Sequence, residues 1–302
     1  MLFRYIYFWL IIALPAAAAT NFTVATFNVE NYFLSPYETR KKKAEVSREK
    51  VSDIIMAVRP DVLALQEMGR KIAFDELRNR LSKRKLEYRY HLWLEGPDPA
   101  IHLALLSRFP IVGDHSKTNV IYLLDRKRFQ VSRGFMEVSL QVNQEYSFTL
   151  INAHLKSKRA VAVADQAEMR LEEARALRRL VDKRLTRNPK ENLLLVGDLN
   201  DSPANDPIRA LIGRGSLKLL DLRPIESIGK IGGSNVNTKN LSRDIVWTYF
   251  YKQQDQFSRF DYILASQGIR NEYVASFVKA HSDWGVASDH RIVVAKFAAK
   301  DH

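Results

Sequence analysis

The chain has 302 residues with no cysteine, 46% hydrophobic and 27% charged content, and a formal net charge of +13. The missing thiols exclude a disulfide scaffold, a thiolate nucleophile, a Cys-ligated zinc site and a lipid-modified cysteine anchor. No linker, low-complexity block or repeat of solenoid period interrupts the sequence, which points to one domain over residues 20–302. The basic excess draws polyanions such as nucleic acid or phosphorylated surfaces, although solubility or adhesion to an anionic envelope accounts for it equally well.

The first stretch, "MLFRYIYFWLIIALPAAAAT", carries one early basic residue, Arg4, an apolar run through Leu14, then Pro15 and four alanines. The run is shorter than the roughly 20 residues that span a bilayer, and small residues after it suit signal peptidase. A signal peptide over residues 1–19 and a periplasmic or secreted product are therefore expected, with retention as an anchor the alternative. Removing Arg4 with the leader leaves +12.

"FTVATFNVENY" alternates and then fills with β-branched and aromatic residues, which predicts a strand ending near Asn28. Helical spacing of Val46, Val51, Ile54, Ile55 and Val58 follows, stopped by Pro60. "DVLALQEM" reads as a buried strand ending at Gln66 and Glu67, and a second helix fits Ile72 to Leu81. "IHLALLSRFPIV" and "FMEVSLQV" look like strands, and "YSFTLINAHLKSKR" is a strand that opens at His154 into a basic turn. A long helix, "VAVADQAEMRLEEARALRRLVDKRL", with apolar residues at three and four spacing, leads to the strand "LLLVGD", which closes at Gly197 and Asp198. Asp206 is the expected N-cap of a short helix with Pro207 at its first position and Gly213 at its end. The remainder, "IVWTYFYK", "RFDYILAS" and "HRIVVAKFA", is strand-rich. Mixed hairpin and β-α-β connections favour two sheets packed face to face with helices outside.

Strands ending at Asn28, Glu67, His154, Asp198 and Asp261 all finish in groups that bind metal or move protons. With Asn200, Asp289 and His290 they form an oxygen-rich set with few nitrogens, which suits magnesium or manganese rather than zinc. Phosphodiester hydrolysis needs a cation, a group that orients and deprotonates water, and a donor for the leaving oxygen. This set supplies all three.

"TFNVEN", "LALQEM", "LLSRFPI", "NAHLKSK", "VGDLND", "RFDYIL" and "SDH", in that order, resemble the signature series of the endonuclease/exonuclease/phosphatase superfamily, the DNase I-like fold, over about residues 22–298. The resemblance implies a four-layer α/β sandwich of two packed mixed sheets flanked by helices. It also implies roles for matching residues. Glu67 resembles the main metal ligand, with Asn28 and Asp289 near the same ion. Asp198 resembles the residue that orients or deprotonates water, and Asn200 one that steadies Asp198 and the phosphoryl oxygens. His290 resembles the histidine that contacts the scissile phosphate, with Asp261 fixing its tautomer. His154 matches a position that helps the leaving group or binds phosphate.

Other residues read differently. Glu30 shares the Asn28 face only if the pleat is regular, Asp201 suits a turn before Pro203, and Arg108 could hold an internal carboxylate or a phosphate. His91, His102, His115 and His281 match no motif. "WTYFY" at 247–251 could stack on bases or pack in a core.

Lys156, Lys158 and Arg159 follow His154 directly and suit a substrate with several phosphates, and Arg126, Lys127, Arg128 and Arg133 form a second basic cluster that a solvated face would also explain. A lipid-cleaving member is expected to carry an exposed apolar hairpin, whereas the loop "IGKIGGSNVNTKNLSRD" is polar and basic. The expected activity is therefore a monomeric, metal-dependent nuclease without stable membrane insertion, acting on DNA or RNA. A phosphatase or sphingomyelinase-like phospholipase of the same fold is the alternative.

Overall fold

The computed structural model describes residues 21–227 and 246–300. The expected signal peptide and the loop 228–244 lie outside the described residues. Within them, no helix is long and apolar enough to cross a membrane.

Strand β1, Asn21–Tyr32, sets the pattern for the rest. Phe22 and Val24 face one core, Ala25, Phe27 and Val29 face another, and Thr26 and Asn28 continue the first face toward the strand end. A strand buried on both sides is what an apolar run with period two gives when it lies inside layered sheets.

One sheet has seven strands. Its order is β12 (Ile225–Ser227), β16 (Tyr273–Lys279), β17 (Val293–Ala298), β1, β2 (Val62–Met68), β4 (His102–Ser107) and β3 (Tyr90–Leu94). The other has six, in the order β11 (Leu220–Asp221), β15 (Asp261–Ala265), β10 (Leu193–Asp198), β9 (Ser147–His154), β8 (Phe135–Gln141) and β5 (Ile111–Asp114). Two small ribbons stand apart: β6 (Ile121–Leu124) with β7 (Lys127–Gln130), and β13 (Tyr249–Tyr251) with β14 (Gln256–Ser258).

Helices cover both outer faces. The seven-stranded sheet packs Leu63, Leu65 and Val294 against Ile54 and Ile55 of α1 (Glu45–Val58) and Phe74 and Leu77 of α2 (Lys71–Lys83). The six-stranded sheet packs Ile151, Leu193 and Leu195 against Leu177 and Val181 of α3 (Gln166–Arg187) and Ile208 of α4 (Asp206–Ile212). Between the sheets lie Val62, Ala64, Met136, Val138, Leu150, Leu194, Val196 and Ile263. The result is the four-layer sandwich, with each fully buried Leu, Val or Ile contributing roughly 1.5–3 kcal/mol. The last helix, α5 (Trp284–Ala287), sits just before the terminal strand.

Three boundaries differ from the sequence expectation, the first being β1, which runs past Asn28 to Tyr32. Helix α3 begins at Gln166 rather than in "VAVA", because the Asp165 side chain accepts from the Ala167 and Glu168 amides at 2.8 and 2.9 Å and caps it there. In α4 the N-cap is Asn205, with Asp206 already helical; the Asn205 amide is engaged by Asp201 at 2.5 Å instead of capping.

Candidate active site

The residues of the site are the polar ends of apolar stripes. On the faces that meet between the sheets, the sequence runs Phe22, Val24, Thr26, Asn28 along β1 and Phe148, Leu150, Asn152, His154 along β9. Along β10 it runs Leu194, Val196, Asp198, and β15 enters with Asp261 before Ile263 and Ala265. In the six-stranded sheet Asp198 is directly paired with both His154 and Asp261. A buried amide layer separates the apolar core from these charged ends. Gln66 donates to Asn152 Oδ1 at 2.7 Å and to Thr26 Oγ1 at 2.9 Å, and Asn152 donates to the Leu65 and Ala104 carbonyls at 3.1 and 3.2 Å. This layer joins the two sheets through hydrogen bonds with direction, which fixes their mutual register more sharply than apolar contact does.

Strict alternation would send Glu67 toward the helices. Instead Glu67 has φ +59°, and the pairing of β2 with β4 shifts between Leu65 and Met68. That bulge re-aims the side chain: Glu67 Oε2 accepts from the Asn31 amide at 2.9 Å and Oε1 lies 3.9 Å from His154 Nε2. Gly197 is required for a related reason. Its φ is +136°, and a Cβ there would fall 1.9 Å from the Ala153 carbonyl oxygen.

Asp198 is the hub. Its Oδ2 accepts from Asn28 Nδ2 at 3.0 Å and from Asn200 Nδ2 at 3.3 Å, and its Oδ1 accepts from the Asn200 amide at 2.9 Å. His154 Nε2 is 3.4 Å and His290 Nε2 is 3.7 Å from the same Oδ2. Asp261, fully buried, receives the opposite nitrogen of His290, with Nδ1 to Oδ2 at 2.8 Å. Ser288 completes the frame: its hydroxyl donates to the Asn28 carbonyl at 2.8 Å and accepts from the His290 amide at 3.0 Å.

The electrostatics diverge inside this small volume. Burial pushes the Asp198 carboxyl up to about 7, with the Asp261 charge adding to the rise and His290 opposing it. The carboxylates of Asp261 and Asp198 hold His290 well above the ordinary imidazole value despite its burial. Burial, aided by the Arg133 guanidinium, drives the His154 imidazole well below that value. The two histidines of one site are thus shifted in opposite directions.

Asp289 is partly exposed and lies 3.9 Å from His290 Nε2. Burial pushes its carboxyl up to about 7, with His290 opposing the rise and the neighbouring Glu30 and Glu67 carboxylates adding to it. Lys43, which the sequence reading missed inside a lysine run, is buried among these acids. Its ammonium donates to the Glu30 carbonyl at 2.9 Å, pairs with Glu30 Oε2 at 3.7 Å, and feels Asp289 and Glu67. One ammonium facing three carboxylates leaves a net negative pocket of oxygen donors, the environment a hard divalent cation occupies. Glu67 and Asp289 are the carboxylates that could hold one, with the Asn28 amide oxygen, which also accepts from the Glu30 amide at 2.9 Å. Asp198, Asp261 and His290 also offer ligand atoms within 4.8 Å of one another. The bond from His290 to Asp261 already commits that pair, so this trio is better suited to proton handling than to ligation.

The basic residues divide. Lys156 is turned inward, its ammonium donating to the Arg159 carbonyl at 3.3 Å and its amide to Glu173 Oε2 at 2.6 Å. Lys158 and Arg159 line a groove of about 730 Å³ beside Asn200. Arg133 is buried, pairing with Asp98 at 3.5 Å and donating to the Leu155 carbonyl at 3.4 Å. Arg126, Lys127 and Arg128 are exposed on the β6–β7 ribbon, away from these contacts. Glu173, fully buried in α3, also accepts from the Ser132 amide and hydroxyl at 3.0 Å and so anchors both loops that carry Arg133 and Lys156; nothing in its helical periodicity marks it. Asp201 is a clamp rather than a ligand, binding Arg170 at 2.9 Å and Lys158 at 3.2 Å. Arg108 holds Asp61 at 3.1 Å.

No curated protein sequence matches the chain. Solved structures share its fold at low identity. Sphingomyelinase C from Streptomyces griseocarneus is 18% identical with a TM-score of 0.60, covering 92% of this chain and 100% of its own. The human Nocturnin catalytic domain, solved with a sulfate anion, is 15% identical with a TM-score of 0.63, covering 93% and 95%. An endonuclease/exonuclease/phosphatase from Bacteroides vulgatus is 12% identical with a TM-score of 0.64, covering 93% and 100%. The sequence model of the Endonuclease/Exonuclease/phosphatase family matches residues 25–290, and with the strand-end cluster lying inside that span the chain belongs to this family.

Proposed function

We propose that the protein is a divalent-cation-dependent phosphodiesterase that cleaves nucleic acid by attack of an activated water, with magnesium or manganese as the ion. The observation that carries the reading is the convergence of Asn28, His154, Asp198 and His290 on one point, with Asp198 Oδ2 at 3.0, 3.4 and 3.7 Å from the other three. A bound cation at Glu67, Asn28 and Asp289 would supply charge neutralisation at the phosphoryl oxygens. The remaining work belongs to side chains. Asp198, held by two asparagines, is placed to orient a water and take its proton. His290, locked by Asp261, is placed to face a phosphoryl oxygen through Nε2, and His154 approaches the same Asp198 oxygen through its own Nε2 at 3.4 Å.

Nucleic acid is favoured over lipid by the surface around this point. The hairpin nearest the site has the tip "KQQD", residues 252–255, which is polar and exposed. Membrane-inserting hairpins carry apolar tips. The leader expected over residues 1–19 supports a periplasmic or secreted location for the enzyme.

The test is to incubate the protein with plasmid, single-stranded DNA, RNA and sphingomyelin vesicles, with magnesium and with excess chelator. Cleavage of nucleic acid that needs the ion, and that disappears in Asp198→Ala and His290→Ala, is expected. Release from sphingomyelin with nucleic acid intact selects the phospholipase alternative, and retained activity in both variants overturns the site assignment.

A further inference from the structure

The ribbon β13–β14 is fastened by its backbone to the segment 289–291 that carries His290. Tyr249 bridges His290, the Phe250 amide donates to the Asp289 carbonyl at 2.9 Å, and the Arg291 amide donates to the Thr248 carbonyl at 2.7 Å. Thr248 is itself buried, and its hydroxyl accepts from the Phe260 and Asp261 amides at 3.0 Å. Thr248 and Asp289 therefore fix the ribbon against the same segment that aims His290. A ribbon of two three-residue strands is not stable alone, so these bonds are what make it a rigid platform.

On this platform the rings form a continuous file. Tyr249 lies 4.7 Å from the His290 ring and stacks on Phe260 at 5.0 Å and 18°, and Tyr251 follows at 6.5 Å and 21°. Phe260 is buried, whereas Tyr249 and Tyr251 are only half-buried. The same rings line the groove of about 730 Å³, together with Gln253, Gln254 and Gln256 on one side and Lys158, Arg159 and Asn200 on the other. Lys158 sits 4.8 Å above the Phe260 ring. Half-exposed aromatic rings, carboxamides and cations thus share one trough, and one of its lining rings, Tyr249, is in contact with His290.

Each component matches part of a nucleotide. Ring faces stack on bases of any identity, carboxamides donate to and accept from base edges, and cations track the backbone. A paired base has both faces covered by its neighbours and its edge occupied, so only an unpaired base can enter such a trough. We infer that the groove between the β13–β14 ribbon and the 157–159 turn is a base-stacking subsite, and that the substrate is single-stranded or locally unpaired nucleic acid. The inference rests on the phosphodiesterase reading above and sharpens its substrate class. Lys158 and Arg159 give the charge complementarity that selects a polyanion for the trough.

The experiment uses the full chain, Tyr251→Ala and Tyr251→Phe, with three substrates of equal length and labelling: a single-stranded oligonucleotide, its duplex, and a single strand whose central nucleotides are abasic. Initial cleavage rates are measured with magnesium, and thermal melting confirms folding of each variant. Wild type is expected to cleave the base-bearing strand faster than both the duplex and the abasic strand. Tyr251→Ala should lower kcat/KM on the base-bearing strand by about 5- to 100-fold and collapse the preference over the abasic strand toward one, whereas Tyr251→Phe should retain the preference. Faster cleavage of the duplex, or an unchanged preference in Tyr251→Ala, overturns the subsite while leaving the phosphodiesterase reading standing. Failure to cleave any of the three in magnesium or manganese, with sphingomyelin hydrolysed, defeats that reading and the subsite together.

Discussion

Asp198 and His290 work against burial in opposite senses. Asp198 is nearly inaccessible and surrounded by donors, with Oδ2 held by both asparagine side chains and Oδ1 by the Asn200 backbone amide. His290 is held well above the ordinary imidazole value although buried, because the Asp261 and Asp198 carboxylates face it. Replacing Asp198 by Asn keeps the volume and removes the proton acceptor, so kcat is expected to fall by about 10²- to 10⁴-fold with melting little changed; stopped-time cleavage assays with parallel calorimetry measure both. His102 provides a residue whose titration bears on stability alone. It is buried against Trp93 at 4.6 Å, Nδ1 finds no hydrogen-bond partner, and burial lowers its affinity for a proton. Below the unfolded value of about 6.5 the unfolded chain binds a proton that the folded chain rejects. Stability contributed by neutral His102 is thus present above that value and lost as pH falls below it. His102→Leu should flatten the decline in melting temperature between about pH 7 and 5, and an unchanged decline would show that His102 does not stay neutral.

At the scale of elements, the strand ends were legible because buried stripes have period two, and Asn28, His154, Asp198 and Asp261 simply extend them. The aim of Glu67 was not legible, since only a left-handed backbone and a register shift bring it round. Lys43 and Glu173 were missed for a different reason. A lysine in a basic run and a glutamate in an amphipathic helix look solvated until tertiary packing buries them. The amide layer gives an element-level test. Asn152→Ala removes donors from the Leu65 and Ala104 carbonyls and an acceptor from Gln66, at an expected cost of roughly 1–3 kcal/mol in denaturant melts. Gly197→Ala forces a Cβ onto the Ala153 carbonyl and should cost on the order of 3 kcal/mol or more, separating the two strands that carry His154 and Asp198. A wild-type melting curve for Gly197→Ala would show that the close approach of β9 to β10 is not as described.

Over the whole molecule, the layered architecture places every candidate residue at one end of the sandwich and leaves the outer helices to stability. The excess of 47 basic over 34 acidic residues then acts at long range. Binding of single-stranded nucleic acid in chelator should weaken steeply with salt, and Lys158→Ala should lower the slope of log affinity against log salt by about 0.7, the contribution of one single-strand phosphate contact; an unaltered slope would remove Lys158 from the backbone path. The fold class and the ordered motifs were readable from the chain, and the aromatic run at 247–251 could be seen only as stacking or core, because the trough is assembled from residues 157–159, 200 and 249–260 when the ribbon docks on the His290 segment. The most direct test of the central claim is cleavage of a single-stranded oligonucleotide by wild type and Glu67→Gln, first in excess chelator and then with magnesium restored. Wild-type cleavage should vanish with the ion and return with it, and Glu67→Gln should need far more magnesium for the same rate. Undiminished cleavage in saturating chelator, or an identical magnesium requirement in Glu67→Gln, would contradict a cation-dependent site built on the strand ends.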